Sequence, residues 1–191
     1  MISYEFPRAV TIIAIVWRLS KIYTASHLFT LEYISAHPLW GEVGVFGVIG
    51  LALLFVVLLI VIPIELSRVP FDVPEAQSEI AGGLLVEYSG KNLAMFYMSD
   101  AVKTIVMAGL VVALFVPYNI SHYFGTPQYI NYVLDFAFFL LKTFIVLFVS
   151  VTLVRTAFAR YKIDQVTYVF WVPVTVTSLI GLLLLYLDVI L

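Results

Sequence analysis

The sequence contains no cysteine. That excludes disulfides, thiolate zinc sites, cysteine-ligated iron–sulfur clusters and thiol nucleophiles in this chain. Charge is almost as scarce. Asp, Glu, Lys and Arg make up 12% of the 191 residues, against about a quarter in a soluble domain. A soluble globule of this size could not cover itself with so few charges. There is no basic excess either. Ten basic and twelve acidic residues give a net charge of −2, so no positive field exists to hold nucleic-acid phosphates. What is present is apolar: 63% of residues are hydrophobic and the mean hydropathy is +1.08. The class that remains is an all-α integral membrane protein, and the few charged residues become the informative ones.

A spanning helix takes about 20 mostly apolar residues. Val43 to Ile62 and Val166 to Leu187 hold no charge, Thr104 to Val116 holds none, and Phe136 to Val154 is interrupted only by Lys142. The expected spans are 43–64, 93–117, 132–154 and 166–188, preceded by a weaker one at 6–23, all in one membrane domain over 1–191. The first is weaker because Glu5, Arg8, Arg18 and Lys21 crowd its apolar stretch from Ala9 to Trp17. Such a helix crosses only if its ends snorkel or its polar face packs against protein.

Five spans place Arg8, Arg68, Lys91, Arg155, Arg160 and Lys162 on the side of the N-terminus, against Arg18 and Lys21 on the other. The positive-inside rule makes the first side cytoplasmic. His27, His37 and His122 fall in the outer loops with no second ligand at metal spacing. They read as interfacial residues rather than a metal site. Most of the twelve tyrosines and three tryptophans read as belt residues at span ends.

The cytoplasmic loop 65–90 is the unusual linker: ELSRVPFDVPEAQSEIAGGLLVEYSG. It holds Glu65, Asp72, Glu75, Glu79 and Glu87, with Arg68 as its only base before Lys91. Asp72 followed by Glu75 looks like a capping-box start, with Pro74 in the first turn. Glu75 and Glu79 then share a helix face and repel. Either the loop is simply solvated, or its carboxylates form a buried cluster that shares protons.

Charges inside the spans add to this. Asp100 and Lys103 are three residues apart on one helix face, and Asp135 and Lys142 are seven apart. A charge at bilayer depth costs about 2.5–3.5 kcal/mol on insertion scales unless paired or wetted. Each pair is therefore either a buried ion pair or part of a hydrated polar route. Asp188, near the C-terminus, reads as interfacial.

The loop resembles the signature of the NuoH, or NADH dehydrogenase subunit 1, family of respiratory complex I. Glu65, Arg68, Pro70, Phe71, Asp72, Glu75, Ser78, Glu79, Gly82, Glu87 and Tyr88 fill that pattern. VRTAFARYKIDQ at Val154 to Gln165 resembles the family's basic loop before its last helix, and MISYE at Met1 to Glu5 the start of its fourth span. Related subunits occur in membrane-bound hydrogenases, archaeal complex I-like enzymes and a sulfane-sulfur reductase. Members usually have eight spans, and this chain resembles the last five. Where the family often has Glu-Tyr, this chain has Asp100-Ala101.

The resemblance implies a coupling subunit of a redox-driven ion-translocating complex in a prokaryotic plasma membrane. Catalytic residues and cofactors would be absent from this chain. Iron–sulfur clusters, with nickel–iron or quinone sites, would lie in partners. Those partners would be hydrogenase-like large and small peripheral subunits, antiporter-like membrane subunits, and a chain supplying the remaining helices. Glu5, Glu65, Glu75, Glu79, Glu87 and Asp100 map onto the family's acidic proton route. The intramembrane argument adds Lys103 and Lys142 to it. Arg68, Pro70, Phe71 and Asp72, with Arg155 and Arg160 of the basic loop, would meet the partners. The competing expectations are a stand-alone proton- or cation-coupled transporter and a purely architectural anchor.

Overall fold

The computed structural model describes residues 3–23, 30–72, 85–120 and 128–190. Within them the chain is helical, with no strand. Helix α1 spans Glu5–Ile22, α2 Leu31–Ala36, α3 Val45–Glu65 and α4 Gly90–Phe115. The next two rods are continuous but composite. In one, α5 (Gln128–Leu147) runs through a π-helical stretch, Phe148–Leu153, into α6 (Val154–Ala157). In the other, α7 (Ile163–Val169) runs through Phe170–Val174 into α8 (Thr175–Ile190). The second π stretch contains Pro173, whose missing N–H cannot continue an α-helical ladder.

Four of these rods are long and apolar enough to cross a membrane: Val45–Glu65, Gly90–Phe115, Tyr129–Ala157 and Ile163–Ile190. They overlap the expected spans to within one helical turn. The first expected span coincides with α1, whose charges keep it out of that group. Instead, α1 packs against α3 and α8. Its buried face carries Val10, Ala14, Ile15 and Leu19, and also Arg18.

The most extensive helix contact is α3 on α8. Glycines set its closeness. A Cβ on Gly50 would lie 2.9 Å from the Gly181 carbonyl oxygen, and a Cβ on Gly181 would lie 2.8 Å from Leu54. Small residues let two backbones approach where lipid offers no hydrophobic drive for helices to associate. The core around this contact joins Ala14, Ile15 and Leu19 of α1 to Leu51, Leu54, Leu58 and Ile62 of α3. Leu185 of α8 and Val111, Val112 and Phe115 of α4 complete it. A second cluster, Val57, Val61, Phe71, Val166, Phe170 and Val174, sits under the turn that follows α3. The bundle thus has two ends. One gathers the start of α1, the end of α3 and the start of α4. The other gathers the end of α1, the start of α3 and the end of α8.

Candidate functional site: an ion-pair network at the end of α3

Helix α3 ends at Glu65, two residues past the buried Pro63. The chain then turns sharply. Ser67 takes a positive φ of 48°, and the Val69–Pro70 peptide is cis. The Arg68 N–H donates to the Pro63 carbonyl at 2.8 Å and the Phe71 N–H to the Arg68 carbonyl at 2.8 Å. This turn aims Glu65 and Arg68 towards α4 and Asp72 towards the 158–162 loop.

Glu65 is the centre of the network. Its side chain is only 10% exposed, and it lies between two cations. Arg8 Nη1 is 2.9 Å from Oε2, and Lys103 Nζ is 3.1 Å from Oε1. Oε2 is buried and accepts no well-directed hydrogen bond. Beside it, Arg68 Nη2 donates to Asp100 Oδ2 at 2.6 Å, a more exposed pair. Glu65, Ser67, Arg68, Asp100 and Lys103 line a cavity of about 420 Å³ with Phe96 and Tyr97. Tyr4 lies next to Glu65. Its phenol is pushed above the usual value, first by burial, then by the negative charges of Glu65 and Glu5, with Arg8 opposing.

A pair between Asp100 and Lys103 is one of two alternatives that the sequence leaves open. Asp100 and Lys103 share a face of α4, but they do not pair with each other. Asp100 takes Arg68 and Lys103 takes Glu65. Spacing along a helix says which side chains are neighbours. It does not say what a second helix offers them. Arg8 was not expected in the site at all. Its only sequence signal is a charge beside a weak span.

The expected interface residues form their own clasp. Arg160 Nε donates to Asp72 Oδ1 at 3.0 Å, and the Tyr161 N–H donates to the Pro70 carbonyl at 3.1 Å. Phe71 is buried, stacks on Tyr161 at 5.7 Å and meets Phe170 edge-on at 5.2 Å. The two stretches that resemble the family signature are therefore in direct contact. Arg155 is exposed on α6, and Glu5 and Glu87 are exposed at the same end of the bundle. Glu75 and Glu79, with the expected capping box and Gly82, lie outside the described residues.

Lys142 sits elsewhere. Its ammonium donates to the Val116 and Tyr118 carbonyls at 2.9 and 2.8 Å and lies over the Phe138 ring at 4.9 Å. These carbonyls close the C-terminal end of α4, together with the Trp40 indole N–H, which donates to the Phe115 carbonyl. From Asp100 to Val116 is about 24 Å along the helix at 1.5 Å per residue. Lys142 and the Glu65 network therefore occupy opposite ends of α4.

Asp188, expected to be interfacial, is buried among helices at its end of the bundle. Its side chain is 5% exposed and accepts from Arg18 Nη2 at 2.6 Å. It also accepts the backbone N–H groups of Gly44 and Gly47 at 3.2 and 3.1 Å. No group of three or more His, Cys, Asp or Glu residues is arranged to hold a metal ion among the described residues.

The fold and the network define a helical membrane protein with an ion-pair network at one end of its bundle and a buried Arg18–Asp188 pair at the other. Comparison with known proteins then fixes the family. The family model described as NADH dehydrogenase matches residues 1–186, and the chain belongs to this NuoH-type family. It is 31% identical over 189 residues to the H-type subunit of the NADH-quinone oxidoreductase of Rhodospirillum rubrum, covering 96% of this chain and 51% of that one. It is 33% identical over 188 residues to the corresponding protein of Brevibacillus brevis, covering 96% and 50%. The Phocaeicola vulgatus protein of the same name is 29% identical over 194 residues, covering 100% and 52%. The chain spans about half the length of these relatives.

Proposed function

We propose that this chain is a membrane coupling subunit of a complex I-like, redox-driven ion-translocating complex. What carries the reading is Glu65: a nearly buried carboxylate between Arg8 and Lys103, opening onto a polar cavity. Ionisable groups at membrane depth mark ion pathways by default, because burying them is costly. The chemistry is simple. In the paired state Glu65 is ionised and holds both cations. A proton added to an oxygen of that carboxylate cancels its charge and releases Arg8 and Lys103. Protonation and helix contact are thereby linked at one residue. Asp100 and Arg68 provide a second such step across the cavity.

In this proposal Glu5, Glu75, Glu79 and Glu87 extend the acidic route on the cytoplasmic side, and Lys103 belongs to the network itself. The clasp of Asp72 with Arg160, with Pro70, Phe71 and Arg155 nearby, receives hydrogenase-like peripheral subunits. These hold the iron–sulfur, nickel–iron or quinone sites. The translocated ion, a proton or sodium, moves here and through antiporter-like membrane subunits. A further chain or segment provides the helices that the longer relatives carry.

The test is Glu65→Gln in the assembled complex. The amide keeps the shape and loses the charge. Redox turnover should persist while ions moved per electron pair fall several-fold. An unchanged ratio would sink the relay role.

A further inference from the structure

Helix α1 meets α3 at two polar points. At one end Arg8 pairs with Glu65. At the other, Arg18 reaches α3 through Asp188, whose two carboxylate oxygens accept the N–H groups of Gly44 and Gly47. Arg18 Nη2 also lies 3.4 Å from the Glu42 carbonyl. Between these points the contact is apolar, with Ala14, Ile15 and Leu19 in one cluster with Leu51, Leu54 and Leu58. Apolar contact is non-directional. It leaves a helix free to slide and rotate by small amounts. The charged points do not, because hydrogen bonds to ionised groups demand close distance and alignment.

The Asp188 clasp is sterically specific. A Cβ on Gly44 would lie 2.6 Å from Asp188 Oδ1, and a Cβ on Gly47 would lie 2.6 Å from Oδ2 and 2.7 Å from Val43. The carboxylate occupies the Ncap and N3 positions of α3, where free N–H groups and the helix dipole favour an anion. It joins α1, α3 and α8 at one point, and both charged side chains are more than nine-tenths buried.

We infer that Arg18 and Asp188 are positioning residues for the Glu65 network: they fix α1 on α3 at the far end so that Arg8 meets Glu65 at the near end. Arg8 and Arg18 are about 15 Å apart along α1, so a small tilt about the far end moves the Arg8 guanidinium out of contact. In mechanistic terms the clasp is the pivot and the Arg8–Glu65 pair is the latch. This rests on the relay reading of Glu65 for its functional half, but its geometric half stands alone.

The test uses Asp188→Asn and Gly47→Ala in the full-length chain within its membrane complex. Asp188→Asn removes the charge. Gly47→Ala keeps both charges and expels the carboxylate by its added Cβ. It cannot weaken α3 through propensity, since alanine is the better helix former. Because the chain has no cysteine, spin labels placed through Ala9→Cys and Val56→Cys, both at exposed positions, report the α1–α3 distance. The complex without these cysteines is the blank. Both variants should lengthen or broaden that distance and lower ions moved per electron pair several-fold in assembled complexes, with redox turnover retained. A clasp that only stabilises would lower the amount of complex and leave the ratio unchanged, which would overturn the inference. An unchanged distance in both variants would overturn it as well. Glu65→Gln is run in parallel. If it alone leaves the ratio unchanged, the relay reading fails, and the distance measurement by itself decides the clasp.

Discussion

Lys142 and Glu65 show what a single charged residue does at two depths of the same bundle. Both are nearly buried, but their partners differ in kind. Glu65 faces two charged side chains and a cavity. Lys142 faces two backbone carbonyls at the end of α4, which is the work of a helix C-cap. Lys142→Met should therefore destabilise the fold by about 1.5–3 kcal/mol, the usual worth of hydrogen bonds to a charged group. Ions moved per electron pair should stay unchanged. Unfolding in mixed micelles checks the first outcome and the assembled complex the second. A fall in the ratio would return Lys142 to the ion route. Sequence made Lys142 visible as an intramembrane charge, but not the carbonyls that it meets, which lie 26 and 24 residues earlier in the chain.

Between elements, the α3–α8 contact makes a prediction that chemistry alone would not. Gly50→Ala and Gly181→Ala add the same methyl group. On Gly50 it strikes the Gly181 carbonyl at 2.9 Å, and on Gly181 it strikes Leu54 Cγ and Cδ2 at 2.8 Å and lies 3.2 Å from the Gly50 carbonyl. A side chain can move aside more cheaply than a backbone. Overpacking costs about 1–3 kcal/mol, and a glycine-to-alanine change returns up to about 1 kcal/mol of helix propensity. Both changes should thus be destabilising, Gly50→Ala the more so, as thermal unfolding in detergent would register. No loss in either would contradict the close backbone approach. The elements themselves were legible, because long uncharged runs leave a membrane helix little alternative. Their pairing was not, since two glycines 131 residues apart carry no signal in a single sequence.

For the whole molecule, the distribution of charge separates α1 from the other rods. Val45–Glu65, with a mean hydropathy of 3.3, is long and apolar enough to cross a membrane. Helix α1 carries Glu5, Arg8, Arg18 and Lys21 in 18 residues. Two of its arginines are matched only by other helices: Arg8 by Glu65 and Arg18 by Asp188. Placed alone in a host protein, α1 should fail to integrate, while α3 should integrate fully; glycosylation mapping reads both. Within its own chain, α1 should be protected only when α3 and α8 are present. Integration of isolated α1 would show that its charges need no partners. The acidic loop was the most legible part of the candidate site, because its pattern is dense and local. Asp72, Arg160, Phe71 and Tyr161 meet where the two recognisable stretches come together. Arg8 and Asp188 were not legible as site residues, because their partners lie 57 and 170 residues away in sequence.

Such long separation matters during synthesis. The N–H groups of Gly44 and Gly47 are made 144 and 141 residues before the carboxylate that receives them. At about 5–20 residues per second, that is roughly 7–30 s of translation. During that interval Arg18 has no Asp188 to pair with and the start of α3 is uncapped. The three-helix junction closes only when the last turn of α8 arrives. A chain halted just before Asp188 would contain every residue of the Glu65 network and still lack the part that seats α1. The bundle is closed from its far end, by a residue made long after the N–H groups that it caps.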